Sequence, residues 1–151
     1  MAEPLTDKAE STAEQQRALV LRWIEEGFNQ RNLAVVDEVF AEHATVNGSV
    51  VGRGGLKKSM IRHIASFPDL RVRIDDIIAD GTKVAIWYTV EGTHRGEFEG
   101  IPPTGKRVEW SGVDLLAFDG GKISAARFSS DLLGLLRQLG VTSRAQYDAQ
   151  V

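Results

Sequence analysis

Residues 92–106 read Gly-Thr-His-Arg-Gly-Glu-Phe-Glu-Gly-Ile-Pro-Pro-Thr-Gly-Lys and form a long connection between two apolar, β-branched runs. The flanking runs, Lys83 to Thr93 and Val108 to Phe118, have the composition of β-strands. Glycine-containing turns separate two further runs of this kind, Val72 to Ala79 and Lys122 to about Ser130. The second half of the chain is therefore predicted to form an antiparallel sheet.

Helical periodicity dominates the first half of the chain. Apolar residues at helical spacing predict a first helix from about Glu14 to Asn29, and Asn32 can cap a short second one. A third helix is predicted from Gly54 to Ile64. A short segment, Ala44 to Val51, is predicted as an edge strand, and Leu132 to Leu139 as a final helix. Helices followed by antiparallel strands predict an α+β fold.

The length of 151 residues suits one domain. We predict that this domain spans residues 13–142. It would follow a mobile N-terminal tail over residues 1–12 and precede a C-terminal tail over 143–151.

The composition excludes several classes of function. The net charge of −3 gives no basic surface for nucleic acid or an anionic membrane. The chain has no cysteine, which excludes disulfides and thiolate chemistry and is compatible with a cytoplasmic location. Three isolated histidines without ligand spacing predict no metal site, and the glycines do not form a nucleotide-binding loop. We expect no cofactor.

The connection resembles the GTHxGxxxGIPPTG signature of SnoaL-like polyketide cyclases, which belong to the nuclear-transport-factor-2-like superfamily. The resemblance extends from about Gln15 to Gly140 and includes Phe28-Asn29, Phe67-Pro68-Asp69 and residues 119–123, Asp-Gly-Gly-Lys-Ile. It implies a cone-shaped, curved antiparallel sheet with three N-terminal helices that enclose a pocket.

The resemblance also implies a catalytic residue. In this family the last strand reads roughly GKIxExWxxxD, and its final Asp, a general acid/base at the mouth of the cavity, corresponds to Asp131. An apolar cavity raises the pKa of a carboxyl group toward neutrality, which suits removal of a proton from a carbon between two carbonyls. Asp131 also precedes an apolar helical run, where Asp commonly caps a helix. The sequence allows either role, or both.

The chain departs from the family pattern on the same strand. Ala125 and Arg127 stand where the family has Glu and Trp, and Ala117 stands where it has Arg on the preceding strand. Alternation places Arg127 on the face of Asp131. Arg127 could therefore bind a carboxylate or enolate oxygen of the substrate, or it could be an ordinary solvated arginine.

Other residues are candidates for the pocket. His94 could donate a hydrogen bond to a substrate carbonyl or carry a proton, or could stabilise a turn. Asn47 could bind a substrate oxygen, although Asn-Gly is also a turn sequence. The resemblance implies that Trp23 and Phe28 press on the cavity from the first helix. Asp114 is a second candidate carboxylate, and one residue of strand register decides which face it occupies.

The leading interpretation is a cofactor-independent cyclase of antibiotic-type secondary metabolism that closes a ring by intramolecular aldol addition of a bulky, oxygenated, polyketide-like substrate. One alternative is an epoxide hydrolase similar to limonene-epoxide hydrolase. That family has Arg-x-Asp where this chain has residues 87–89, Trp-Tyr-Thr, but Arg127 and Asp131 resemble the end of its WRDYFD-like segment. Another alternative is a noncatalytic ligand-binding module on the same scaffold.

The outer face of the sheet carries Trp and β-branched residues that one layer of helices cannot cover. Exposed apolar patches commonly mark interfaces, so we expect a homodimer or a larger homo-oligomer.

Overall fold

The computed structural model describes residues 11–150, and it confirms the α+β class: a curved, unclosed six-stranded sheet with helices packed on its inner face. Most of the predicted N-terminal tail falls outside the described residues. Within it, Thr12 caps the first helix, because its side chain accepts a hydrogen bond from the backbone of Gln15, whose side chain bonds back to Thr12. None of the helices between residues 11 and 150 is long and apolar enough to span a membrane.

The first helix continues as one element but changes its winding. It begins as α1, Ala13–Arg22, and proceeds as a π-helical segment, Trp23–Asn29. The remaining helices are α2, Val35–Val39; α3, Gly52–Ser66; α4, Leu132–Gln138; and α5, Arg144–Gln150. Helix α2 has no side-chain cap, so the predicted capping by Asn32 is wrong. Helix α5 lies where a C-terminal tail was predicted.

The strands are β1, Phe40–Val46; β2, Ser49–Val50; β3, Arg71–Ala79; β4, Lys83–Thr93; β5, Arg107–Asp119; and β6, Lys122–Ser130. The last four follow the predicted order. The prediction of Ala44 to Val51 as one edge strand is wrong, because this segment is divided between β1 and β2 and, of these two, only β2 lies at the edge. Their order in the sheet is β2-β1-β6-β5-β4-β3. The pair β1 and β6 is parallel, so the sheet is mixed and not wholly antiparallel as predicted. A parallel pair needs a long crossover between its strands, and residues 47–121 supply it.

Register shifts between neighbouring strands decide which side chains face inward. In the pairing of β5 with β6, Ala117 lies opposite Ala125 and Phe118 lies opposite Ile123, so Ser124 is an extra residue. A similar shift occurs in β3 between Ile74 and Asp76. Each such bulge exchanges the two faces of its strand for all the residues that follow.

The connection 92–106 is held by its own histidine. His94 is fully buried, and its backbone exchanges hydrogen bonds with Lys106 (2.9 Å) and Gly105 (2.8 Å). Its ring Nδ1 accepts from the backbone N–H of Thr104 at 3.2 Å. Gly96 follows, and a Cβ atom there would collide with the carbonyl of Ala65 in α3. The connection is therefore fixed against the end of α3.

Candidate functional site

A mainly apolar cavity of about 190 Å³ lies between the π-helical segment, α3 and the inner face of the sheet. Aromatic and aliphatic side chains form most of its wall, and Asp114 is the carboxylate among its lining residues. The lining residues are Trp23, Ile24, Phe28, Ser59, His63, Leu70, Val72, Tyr88, Val90, Trp110, Asp114, Phe128 and Ser130. Apolar pockets with a few converging polar groups are the usual form of small-molecule sites.

Asp114 lies in the middle of β5 on its inner face. Its neighbours on that face, Gly112 and Leu116, are also buried, and Asp114 itself is only 5% exposed. It pairs across the sheet with Phe128 of β6, which also lines the cavity. The carboxyl oxygen Oδ1 has no hydrogen-bond partner among the described residues. Asp114 thus brings an incompletely bonded carboxyl group to an apolar cavity.

Burial raises the pKa of Asp114 from 3.8 to about 7, because a carboxylate loses its hydration inside the protein. The nearby Tyr88 hydroxyl and the backbone of Ser129 partly offset this rise in the pKa by favouring the charged form. A carboxyl group that titrates near neutral pH can both accept and return a proton, as a general acid/base must. The pKa of Tyr88 is raised, chiefly by burial and also by the charge of Asp114, so its hydroxyl stays protonated.

Gly112 makes room for Tyr88. The two residues lie opposite each other on β5 and β4, and a Cβ atom at Gly112 would collide with the Tyr88 hydroxyl. A larger residue would push the phenol away from the carboxyl group two residues along the same face. Gly112 therefore helps to set the position of Tyr88 beside Asp114.

The π-helical segment supplies Trp23, Ile24 and Phe28 to the cavity. π-Helical turns are rare and often occur at functional sites. Asn29 fixes the end of this segment to the sheet, because its side chain donates to the carbonyl of Val72 (2.9 Å) and accepts from the Val72 N–H (2.8 Å). The structure thus places Trp23 and Phe28, both expected to bind substrate, on the cavity wall.

Helix α3 contributes two polar residues that the sequence analysis did not assign to the site. Ser59 and His63 lie one turn apart and both line the cavity. The His63 Nδ1 lies 2.8 Å from the Ser59 carbonyl, which can only accept, so Nδ1 carries the proton. Their spacing of four residues indicates that they share one face of the helix, which could have marked them as neighbours in a site. The residues beside them in the sequence are typical of an exposed surface, so this indication was not recognised.

Asp131 lies just beyond the cavity wall. It is exposed, and its Oδ1 accepts from the backbone N–H of Gly134 at 2.9 Å, which caps α4. The preceding residue, Ser130, is the last of β6 to line the cavity. The geometry of Asp131 matches the capping role, and its carboxylate is not part of the cavity lining.

Arg127 and Asn47 also lie outside the cavity lining. The Ser124 bulge turns Arg127 to the outer face of the sheet, opposite Leu115, where it is exposed. Its predicted place on the face of the cavity is therefore wrong. Asn47 forms the turn between β1 and β2 with a φ of 50°, and its Oδ1 accepts from the Phe128 N–H at 3.0 Å. Asn47 holds that turn to β6.

His94 is separated from the cavity lining as well. Its Nδ1 accepts from Thr104, so the ring proton is on Nε2, which has no hydrogen-bond partner among the described residues. Burial lowers the pKa of His94, although the carbonyls of Gly96 and Ile101 partly offset this effect. A neutral His94 that holds the connection is consistent with the turn-stabilising alternative.

A second hollow, of about 430 Å³, lies at the β3 edge and shares Ile24 and Val72 with the cavity. Its charged residues are the exposed Glu25, Arg71 and Arg73 and the half-buried Glu91. Exposed charges remain hydrated and are poorly suited to proton transfer at neutral pH. The cavity around Asp114 is the stronger candidate site. Residues 11–150 contain no cluster of three or more residues with the side chains to hold a metal ion.

Comparisons with known proteins agree with this architecture. The family model described as SnoaL-like polyketide cyclase matches residues 18–139. AclR, a candidate hydroxylase from Streptomyces galilaeus, is 31% identical with a TM-score of 0.77, over 88% of this chain and 100% of its own. IdmH, a candidate polyketide cyclase from Streptomyces antibioticus, is 29% identical with a TM-score of 0.75, over 84% of this chain and 99% of its own.

The structure of TsrD from Streptomyces laurentii gives a TM-score of 0.81 over 88% of this chain and 100% of its own. Its identity of 24% makes it evidence for the fold alone. No curated protein matches the chain in sequence.

Proposed function

Because the chain belongs to the SnoaL-like polyketide cyclase family, we propose that it closes a ring in a polyketide-like substrate by acid/base catalysis, with Asp114 as the acid/base. The observation that carries this proposal is that the carboxyl group of Asp114 is buried at an apolar cavity, where its pKa is raised to about 7. This assignment replaces Asp131, which the family pattern suggested, because the Asp131 carboxylate caps α4 and is exposed.

The proposed reaction is an intramolecular aldol addition. The Asp114 carboxylate removes a proton from a carbon beside a carbonyl, and the C–H electron pair forms the C=C bond of an enolate. The enolate carbon then attacks a second carbonyl of the same molecule, forming the C–C bond and an alkoxide. Protonated Asp114 returns its proton to the alkoxide, so atoms and charge balance and the protein needs no cofactor for these steps.

The surroundings of Asp114 support both halves of this cycle. Exclusion of water raises the carboxyl pKa, and the Tyr88 hydroxyl limits the rise by stabilising the carboxylate. A pKa near 7 keeps a large fraction of each protonation state available at neutral pH. Aromatic walls of Trp23, Phe28 and Trp110 suit a flat, conjugated substrate.

Paired substitutions at the two aspartates test the proposal. Exchange of the α-protons of 2-tetralone, a bicyclic enolisable ketone, is followed by NMR in deuterated water. Asp114→Asn should slow the exchange by about 10²- to 10⁴-fold, as expected for loss of a general base. Asp131→Asn should leave it unchanged, because Asn also caps helices well. A normal rate of exchange in the Asp114→Asn protein would refute the proposal. Loss of exchange in the Asp131→Asn protein would instead support Asp131 as the acid/base, as the family pattern suggested.

Analysis of labelled products separates this reaction from the alternatives. AclR is a candidate hydroxylase, and an epoxide hydrolase was a second interpretation of the sequence. Ring closure by aldol addition incorporates no oxygen atom, whereas a hydrolase incorporates oxygen from water and a hydroxylase adds an oxygen atom to its substrate. A ligand-binding module would cause no α-proton exchange.

We further propose a homodimer formed by the outer face of the sheet. Trp87 is 56% exposed there and lies opposite Val113, which is 44% exposed. Leu115 and Ile78 extend the same surface through Ala85, which pairs with both of them. We call Ile78, Trp87, Val113 and Leu115 the outer patch. Contiguous apolar surface of this kind commonly marks an interface.

A further inference from the structure

Two residues that line the cavity each have a buried polar atom with no hydrogen-bond partner among the described residues. One atom is Oδ1 of Asp114, and the other is the indole Nε1 of Trp23. Both residues are at least nine-tenths buried, since Trp23 is 3% exposed and Asp114 is 5% exposed. Buried polar groups are almost always paired in native proteins, so two unpaired groups in one cavity call for a partner that enters it.

The ring of Trp23 is held in one orientation by three aromatic neighbours. Phe40 packs edge-on at 4.9 Å between ring centroids, Phe128 stacks at 5.9 Å with an interplanar angle of 20°, and Phe28 lies at 5.9 Å. Rotation of the indole toward another acceptor would break these contacts. The indole N–H can only donate, so its partner must carry an acceptor such as a carbonyl or enolate oxygen.

Asp114 requires the complementary chemistry. Its carboxylate accepts a proton or a hydrogen bond, so a ligand that satisfies both residues must present an oxygen to Trp23 and an acidic hydrogen to Asp114. An enolisable carbonyl compound has both features on adjacent atoms. An apolar cavity of about 150 Å³ accommodates benzene, so a cavity of about 190 Å³ fits one ring or two small fused rings.

We propose that the indole N–H of Trp23 binds and stabilises the enolate oxygen of a small enolisable carbonyl substrate of one or two rings, while Asp114 takes the α-proton. This rests on the proposed function. Removal of the α-proton moves negative charge onto the carbonyl oxygen, and a fixed donor in a dry cavity interacts more strongly with that charge than with the neutral carbonyl. Trp23 donates only a hydrogen bond and keeps its proton.

Binding of 2-naphthol tests the role of Trp23 without requiring turnover. 2-Naphthol carries the oxygen of an enol on two fused rings, and naphthalene is the same molecule without the oxygen. Trp23→Phe keeps an aromatic ring and removes the N–H. It should weaken 2-naphthol binding by about 10- to 100-fold and change naphthalene binding much less.

Trp110→Phe is the matched control, because Trp110 also lines the cavity and its indole nitrogen is not among the buried unpaired atoms. It should affect the two ligands equally. The proposal is overturned if Trp23→Phe binds 2-naphthol like the unmodified protein, or loses affinity for both ligands to the same extent.

NMR of the unmodified protein gives a second readout that does not depend on folding of a variant. The chain has only three tryptophans, Trp23, Trp87 and Trp110, so its indole N–H signals are few and can be assigned by substitution. The Trp23 indole proton should shift downfield with 2-naphthol and not with naphthalene. Absence of any Trp23 response at millimolar 2-naphthol would also overturn the proposal.

The two proposals can fail separately. If the Asp114→Asn protein still exchanges the α-protons of 2-tetralone at the normal rate, Asp114 is not the base. This conclusion does not depend on the role of Trp23. If Asp114→Asn abolishes exchange but Trp23→Phe retains both 2-naphthol affinity and the exchange rate, the acid/base assignment stands and the role of Trp23 is refuted.

Discussion

Asp114 of β5 lies directly opposite Phe128 of β6 on the inner face of the sheet. This pairing depends on Ser124, the extra residue of β6 between the Ile123 and Ala125 pairs. Without the bulge, side-chain alternation would turn Arg127 inward and Phe128 outward. The bulge therefore closes the cavity with an aromatic ring beside Asp114 and leaves Arg127 on the outer face.

Substitution of Gly112 should change the pKa of the Asp114 carboxyl group indirectly, by displacing Tyr88. Gly112→Ala places a methyl group against the Tyr88 hydroxyl and should cost about 1–3 kcal/mol of stability through overpacking. It should also shift the midpoint of the pH–rate profile upward, because Tyr88 would no longer stabilise the Asp114 carboxylate. Urea denaturation and the pH dependence of 2-tetralone exchange measure the two effects.

Gly54→Ala is the control for Gly112→Ala. Gly54 lies in α3 with no atom near the position of an added Cβ, so alanine there should be neutral or stabilising by up to about 1 kcal/mol. An unchanged pH midpoint in Gly112→Ala would show that Tyr88 does not tune Asp114.

The stability of the protein should depend on pH through Asp114. Its pKa is about 7 in the folded state against 3.8 when unfolded, so between these values the folded state binds more protons. The contribution of Asp114 to the free energy of unfolding is therefore fully present below about pH 4. It is lost as pH rises through 7, which lowers the free energy of unfolding by up to about 4 kcal/mol. Urea denaturation of the unmodified protein and of Asp114→Asn at pH 4 and pH 8 measures it.

The difference between those two proteins isolates Asp114, because every other ionisable group is present in both. Asp114→Asn should gain stability relative to the unmodified protein from pH 4 to pH 8. A constant difference would mean that the folded-state pKa is not raised.

Asp131 should behave as a helix cap. Asp131→Ala removes the acceptor for the Gly134 N–H and should lower stability by about 1 kcal/mol, whereas Asp131→Asn should change it by a few tenths at most. Thermal or urea denaturation of both variants distinguishes them. Equal stability of the Ala variant and the unmodified protein would contradict the capping role.

The oligomeric state should depend on the outer patch. Trp87→Glu places a charge in its centre and should convert the proposed dimer to a monomer, measured by light scattering at micromolar concentrations. Ile61→Glu is the matched control, because Ile61 is similarly exposed, at 51%, but lies on α3. It should leave the dimer intact. A monomeric unmodified protein would refute the interface.

Much of the fold could be predicted from local sequence. Turn residues and β-branched runs gave the four long strands, and helical periodicity gave the element that ends at Asn29. The residues 92–106 marked the family, which the match over residues 18–139 confirms. These features depend on backbone preferences within a few residues, so they can be recognised before any tertiary contact is known.

The candidate site was less predictable. Trp23, Phe28 and Asp114 were candidates and line the cavity, but no local pattern favoured Asp114 over Asp131, and Tyr88 and His63 were not among the candidates. The parallel pairing of β1 with β6 was also missed, because strand pairing joins residues about 80 positions apart.

The sequence by itself determined the first helix, the order of the four long strands and the family, because each follows from residues adjacent in the chain. It left Asp131 as either a helix cap or an acid/base. The tertiary structure alone decided which carboxyl group is buried. A single bulge at Ser124 sets which face of β6 closes the cavity, and burial among side chains of distant segments raises the pKa of Asp114. Desolvation depends on the whole surrounding volume, which no local pattern of residues specifies.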